Sequence, residues 1–70
     1  MKNKRLTRRE LDELYVLRIR HGATIGPDRD GGPGFVLMFA SGFKDHGTRR
    51  LRGAGGSSTA RHALEILRTL

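Results

Sequence analysis

Arg49, Arg50 and Arg52 stand directly before Gly53-Ala54-Gly55-Gly56-Ser57-Ser58, and Arg61 follows within one helical turn of that stretch. Guanidinium groups are planar, charged and forked, so they pair with phosphate oxygens and guanine edges two hydrogen bonds at a time. A glycine-serine run leading into a helix turns several backbone N–H groups towards one point, where the helix dipole adds partial positive charge. Together these residues suit the gripping of backbone phosphates, with Gly55, Ser57 and Ser58 presenting amides beside the arginines. Arg8, Arg9 and Arg29 complete the candidate nucleic-acid-binding set. The same pieces also read as a plain turn, a serine helix cap and a strand made basic against aggregation.

Other chemistries fit less well. A nucleotide P-loop needs a lysine before its Ser or Thr, and Gly56-Ser57-Ser58 has none. Asp28-Arg29-Asp30-Gly31 opens like a calcium loop, but the twelfth position of that loop is Phe39 instead of Glu. His21, His46 and His62 share no close helical spacing, and cysteine is absent, so no metal site and no disulfide framework is expected. Ser57 could be joined on paper to a His and an Asp, but no nucleophile elbow surrounds it. No catalytic residue and no cofactor is expected, and the protein is not read as an enzyme.

The 70 residues carry a net charge of +7, with lysine only at positions 2, 4 and 44. A chain this short makes one domain with a modest core, and this charge suits a polyanionic partner. The longest apolar run, Phe35 to Ala40, is too short to span a bilayer, and the basic start of the chain lacks an apolar signal region. A soluble, cytoplasmic protein without membrane association is the expectation.

These residues need elements to hold them. Thr7-Arg8-Arg9-Glu10 is a capping-box pattern that predicts a helix starting at Thr7, with Leu6 and Leu11 as a hydrophobic staple and Leu11, Leu14 and Tyr15 as its apolar stripe. Val16 to Arg20 fits two templates. Arg18, Arg20 and His21 before Gly22 favour a helix to about His21, whereas alternation of Leu17 and Ile19 with the arginines fits a strand.

The Gly26–Gly34 stretch, rich in Gly and Pro, predicts a long irregular loop. Phe35 to Ala40 predicts a central strand, apolar on both faces. Thr48 to Arg52 predicts a short strand with Leu51 inward and Arg50 and Arg52 in water. Ser57 or Ser58 would cap a last helix whose Ala60, Ala63, Leu64, Leu67 and Leu70 face the core, with Ile66 on the flank and Arg61, Glu65 and Arg68 as an exposed charged stripe. The expected fold is α+β: a small three-stranded antiparallel sheet with an N-terminal and a C-terminal helix packed on one face. A basic arm over residues 1–6 would precede a single domain over 7–70.

Three strings carry a family resemblance: Gly26-Pro27-Asp28-Arg29, Phe35 through Gly42, and Gly53-Ala54-Gly55-Gly56-Ser57 followed by Ala63-Leu64-Glu65-Ile66-Leu67. In this order they resemble a double-stranded RNA-binding domain, a helix-strand-strand-strand-helix module that spans two minor grooves of a duplex. That resemblance implies Glu10 and Glu13 of the first helix as contacts to sugar hydroxyls, the 26–29 loop in the next minor groove, and the start of the last helix on phosphates. The chain departs from the family pattern in three places, one of which is a final helix shorter than usual. Arg29 stands where the loop histidine would be, and Ser58 and Thr59 replace basic residues of the last helix. If residues 15–20 formed a strand, the chain would instead resemble the arm-binding domain of phage-type integrases, with Arg18, Arg20, Arg50 and Arg52 reading a DNA major groove.

Both resemblances lead to one functional expectation: a small basic domain that binds duplex RNA or DNA without catalysis. A rival expectation is a protein-binding inhibitor or adaptor, of the phage or plasmid type, that docks on an acidic protein surface through an apolar centre at Phe43 or Met38 ringed by arginine.

Overall fold

A computed structural model describes residues 5–70 of the chain. Thr7 accepts the N–H of Glu10 on its hydroxyl at 3.1 Å, and the Glu10 carboxylate accepts the N–H of Thr7 at 2.9 Å. With both halves of this capping box in place, helix α1 runs Arg8–His21. Residues 16–20 are therefore helical. The helix stops at Gly22, whose φ of 62° and ψ of 35° place it in the left-handed region that glycine enters without a Cβ penalty. A side chain at that position would also meet the Phe43 ring at 2.4 Å, so glycine is required twice over.

From Gly22 the chain passes at once into β1 (Ala23–Pro27), which pairs antiparallel with β2 (Phe35–Phe39) in the register Ala23 to Phe39 and Pro27 to Phe35. β2 pairs in turn with β3 (Arg49–Arg50), and the sheet order is β1-β2-β3. Helix α2 (Ser57–Arg68) closes the chain. The architecture is the expected α+β arrangement of two helices and a three-stranded antiparallel sheet, forming a slab 37 × 28 × 15 Å.

The core follows from the alternation of side chains along the strands. Ala23, Ile25, Phe35, Leu37, Phe39 and Leu51 share the inner face and pack with Leu6, Leu14 and Leu17 on one side and Ala60, Ala63, Leu64, Ile66 and Leu67 on the other. Leu37, Leu64 and Leu67 are the largest fully buried side chains. The helical spacing read for α2 is thus the spacing that fills the core. Val36, beside Leu37 but on the outer face, is also buried, as a central strand requires. Its neighbour in register, Arg50, donates to the Pro33 carbonyl at 2.7 Å and pairs with Asp28, which ties the 28–33 loop to that outer face.

Several expectations are corrected by this arrangement. Leu11 and Tyr15 are 48% and 62% exposed, because α1 turns Leu14, with Leu17 at its side, towards the core. Leu6 is buried while Leu11 is half exposed, and both line one groove. Gly26 and Pro27 belong to β1 and not to the loop. Pro27 is tolerated because it ends an edge strand, where its missing N–H costs no ladder bond. The third strand is shorter than Thr48–Arg52, though Leu51 is buried as expected. Of the arm expected over residues 1–6, residues 1–4 lie outside the described residues, Arg5 is exposed, and Leu6 is a core member.

Candidate nucleic-acid interface

The start of α2 is built by Thr59. Its hydroxyl donates to the Arg52 carbonyl at 2.6 Å and accepts the N–H of Gly55 at 2.9 Å, while its side chain is 3% exposed. This folds the 52–55 loop back over the first helical turn, close enough that a Cβ on Gly53 would meet Ser58 Oγ at 2.3 Å. His62, further along α2, accepts the Arg52 N–H on Nδ1 at 3.0 Å and holds the Arg52 end of the loop a second time. Neither residue stood out in the sequence. The signal was present, since Thr59 heads the core-facing series Thr59, Ala63 and Leu67 at intervals of four.

Gly56, with a φ of 84°, is the residue that caps α2, and it brings no side-chain hydrogen bond. Ser57 and Ser58 lie inside the first turn, contrary to the expectation that one of them caps the helix. The tight approach of Gly53 draws the helix start one residue earlier and leaves the serine hydroxyls without that role. The first turn of α2 contains no acid. Its leading amides therefore have no side-chain cap, and their partial positive charge is not offset by an acid of the same turn.

The arginines divide into two groups. Arg50 pairs with Asp28 at 2.5 Å, Arg61 with Glu10 at 3.3 Å, and Arg68 with Glu13 at 2.7 Å. The charged stripe of α2 is thus an inter-helix clamp, and Glu10 and Glu13 hold arginines in the positions where the family resemblance implied sugar contacts. Arg8, Arg9, Arg29, Arg49 and Arg52 are exposed and without a carboxylate partner among the described residues. Gly55, expected in the anion cradle, has its N–H committed to Thr59.

The structure ties the Arg52 backbone to the start of α2 through its bonds to Thr59 and His62, with Arg49 three residues before it in the chain. Arg5 lines with Leu6, Leu11, Gly56, Ser57 and Ala60 a groove of about 440 Å³ at the start of α2. Arg29 lies apart, in a depression with Met38, Phe39, Asp45, Gly47 and Thr48. Arg8 and Arg9 stand on the first turn of α1. Arg18 and Arg20 are on α1 and not on a strand, so the sheet lacks the reader positions that the integrase resemblance required.

The clamp carboxylates are all shifted in one direction. Glu10 is held below its ordinary value of 4.5 by the Thr7 N–H and then by Arg61; Glu13 is lowered by Arg68, and Asp28 by the Asp30 N–H and then Arg50. A carboxylate lowered in the folded state leaves the unfolded chain binding more protons, so the stability it contributes is present above the ordinary values and is lost as pH falls through them. Thermal melts by circular dichroism should therefore show the midpoint falling as pH drops below 4.5 for the two glutamates and 3.8 for Asp28, continuing until the lowered folded values are passed. Glu13→Gln should flatten part of that fall; an unchanged profile would mean that its pair with Arg68 is energetically idle.

Among the described residues no helix is long and apolar enough to cross a membrane. No protein-family model, curated protein or solved structure matches this chain.

Proposed function

We propose that this protein is a small nucleic-acid-binding domain that grips the phosphate backbone of a duplex at the start of α2 and carries out no catalysis. The observation that supports the reading is the uncapped, acid-free first turn of α2, with exposed Arg5 in its groove and exposed Arg52 bonded through its backbone to Thr59 of that turn. Orphan amides and the helix dipole favour an anion there, and the flanking guanidinium groups supply full charge and bidentate geometry. Arg49 extends the cationic row along the sheet edge. Arg50 and Arg61 play a different part from that read in the sequence: they hold the loop and the two helices in place.

Aromatic residues are few, and Phe35 and Phe39 pack against the core, which leaves little for base stacking and favours a duplex over a single strand. With Arg50 and Arg61 held in ion pairs and Arg5, Arg49 and Arg52 supplying the grip, about three phosphates are neutralised, and the log–log salt slope on duplex DNA should be about −3. Fluorescence anisotropy of labelled duplex RNA, duplex DNA and single strands across a salt series tests this. Duplex binding with that slope, weakened by Arg52→Ala, supports the reading; no binding even at low salt ends it.

A further inference from the structure

α1 has two apolar faces, and the core uses one. Leu11, Tyr15 and Ile19 recur every four residues along the outer face, with exposures of 48%, 62% and 59%, and Val16 beside them is 50% exposed. Four large apolar side chains in solvent on one short helix form a contiguous patch, unlike the scattered exposed residues of an ordinary surface. Each end of the stripe opens into a groove. Leu11 shares the groove of about 440 Å³ with Leu6 and Ala60, while Tyr15 and Ile19 share one of about 260 Å³ with Arg18, Gly22, Ala23 and Ala40. Phe43, 47% exposed and seated over Gly22, extends the apolar surface at that end.

The charge around the stripe is mainly positive, with Asp12 the exception. Arg5 and Arg18 line the two grooves, and Arg8 and Arg20 stand exposed at the two ends of the helix. Asp12 is the sole acid of α1 that is not held by an arginine of α2. A phosphate backbone would satisfy the arginines but leave the aliphatic side chains in water. A second copy would bury the apolar stripe but set these arginines against their own kind, between chains that each carry +7.

We infer that the outer face of α1 docks an acidic amphipathic helix of another protein, with Leu11, Tyr15 and Ile19 as anchors and the flanking arginines pairing with its carboxylates. The stripe from Leu11 to Ile19 covers about 12 Å of helix axis, so about two to three turns of the partner would cover it. An aromatic anchor ringed by arginine is the composition in which interface energy concentrates. The Leu11 end of this surface shares its groove with Arg5, Gly56 and Ser57 at the mouth of α2, whereas Tyr15 and Ile19 line the other groove, so substitutions at those two residues test the docking face apart from the phosphate site.

The probe is a fluorescein-labelled helical peptide of about 18 residues, with leucine on one face and glutamate elsewhere. It is compared with the same peptide carrying lysine for glutamate and with a scrambled peptide of equal composition. Acidic amphipathic peptide should bind at least about tenfold more tightly than either control, and Tyr15→Ser with Ile19→Ser should remove about tenfold of that affinity while leaving duplex binding and the circular dichroism spectrum unchanged. Equal binding of the ordered and scrambled acidic peptides would overturn the inference, because charge alone would then account for it. Absence of binding would also overturn it. Sedimentation equilibrium of the protein alone gives a third outcome that does so: a dimer dissociated by Ile19→Glu, which would make a second copy the occupant.

Discussion

Ser57→Asp should make the protein more stable and a poorer ligand for duplex nucleic acid. A carboxylate in the first turn of α2 meets the partial positive charge that no side chain now answers, a gain of about 0.3–1 kcal/mol. In a domain of this size that corresponds to a rise of about 2–6 °C in the thermal midpoint. The same carboxylate occupies the place proposed for a phosphate and repels it, so the affinity in anisotropy should fall by about tenfold or more. Opposite signs for stability and binding separate a functional effect from a folding defect. Ser57→Asn, similar in shape but uncharged, should keep most of the affinity. If Ser57→Asp melts higher and binds as before, the phosphate does not sit at the mouth of α2, and the proposed function loses its central observation.

Leu37→Ala is expected to unfold the protein at room temperature. Leu37 is 0% exposed at the centre of the middle strand, and it packs in one cluster with residues from both helices. Truncating a fully buried leucine costs about 2–5 kcal/mol, because the cavity collapses only in part. A single small core stabilises a domain by only about 3–5 kcal/mol, so one substitution consumes most of the margin. Loss of amide dispersion in a proton–nitrogen correlation spectrum would show it directly. Leu11→Ala, at a site 48% exposed, should change stability by about 0.5 kcal/mol or less. A folded Leu37→Ala protein would mean that the core is more redundant than its packing suggests.

The features that could be read in the sequence are those set by neighbours in the chain. The capping box needs only Thr7 and Glu10, and it forms with both hydrogen bonds. The inner face of α2 is fixed by helical spacing, and Ala63, Leu64 and Leu67 are buried accordingly. Phe35 to Phe39 is apolar at every position, which leaves it little alternative to the centre of a sheet. What could not be read is what distant partners decide.

Leu11, Leu14 and Tyr15 look like one stripe, but Arg61 and Arg68, 51 and 55 residues away from their carboxylates, draw the Glu10 and Glu13 side of α1 towards α2 and leave Tyr15 outside. Arg50 appears free until Asp28, 22 residues earlier, is folded beside it. The candidate site divides in the same way. The helix itself was legible, but its cap at Gly56, the bond that commits the Gly55 amide to Thr59, and the sorting of arginines into structural and free required the tertiary fold.

Among the described residues α2 supplies three of the nine buried apolar side chains, and it follows in the chain every element it covers. A ribosome therefore delivers the sheet, with Leu37 and Leu51 still uncovered, before the helix that shields it. The domain should acquire its structure only after residue 67 has been released from the exit tunnel, and until then its stability depends on whatever shelters the nascent chain.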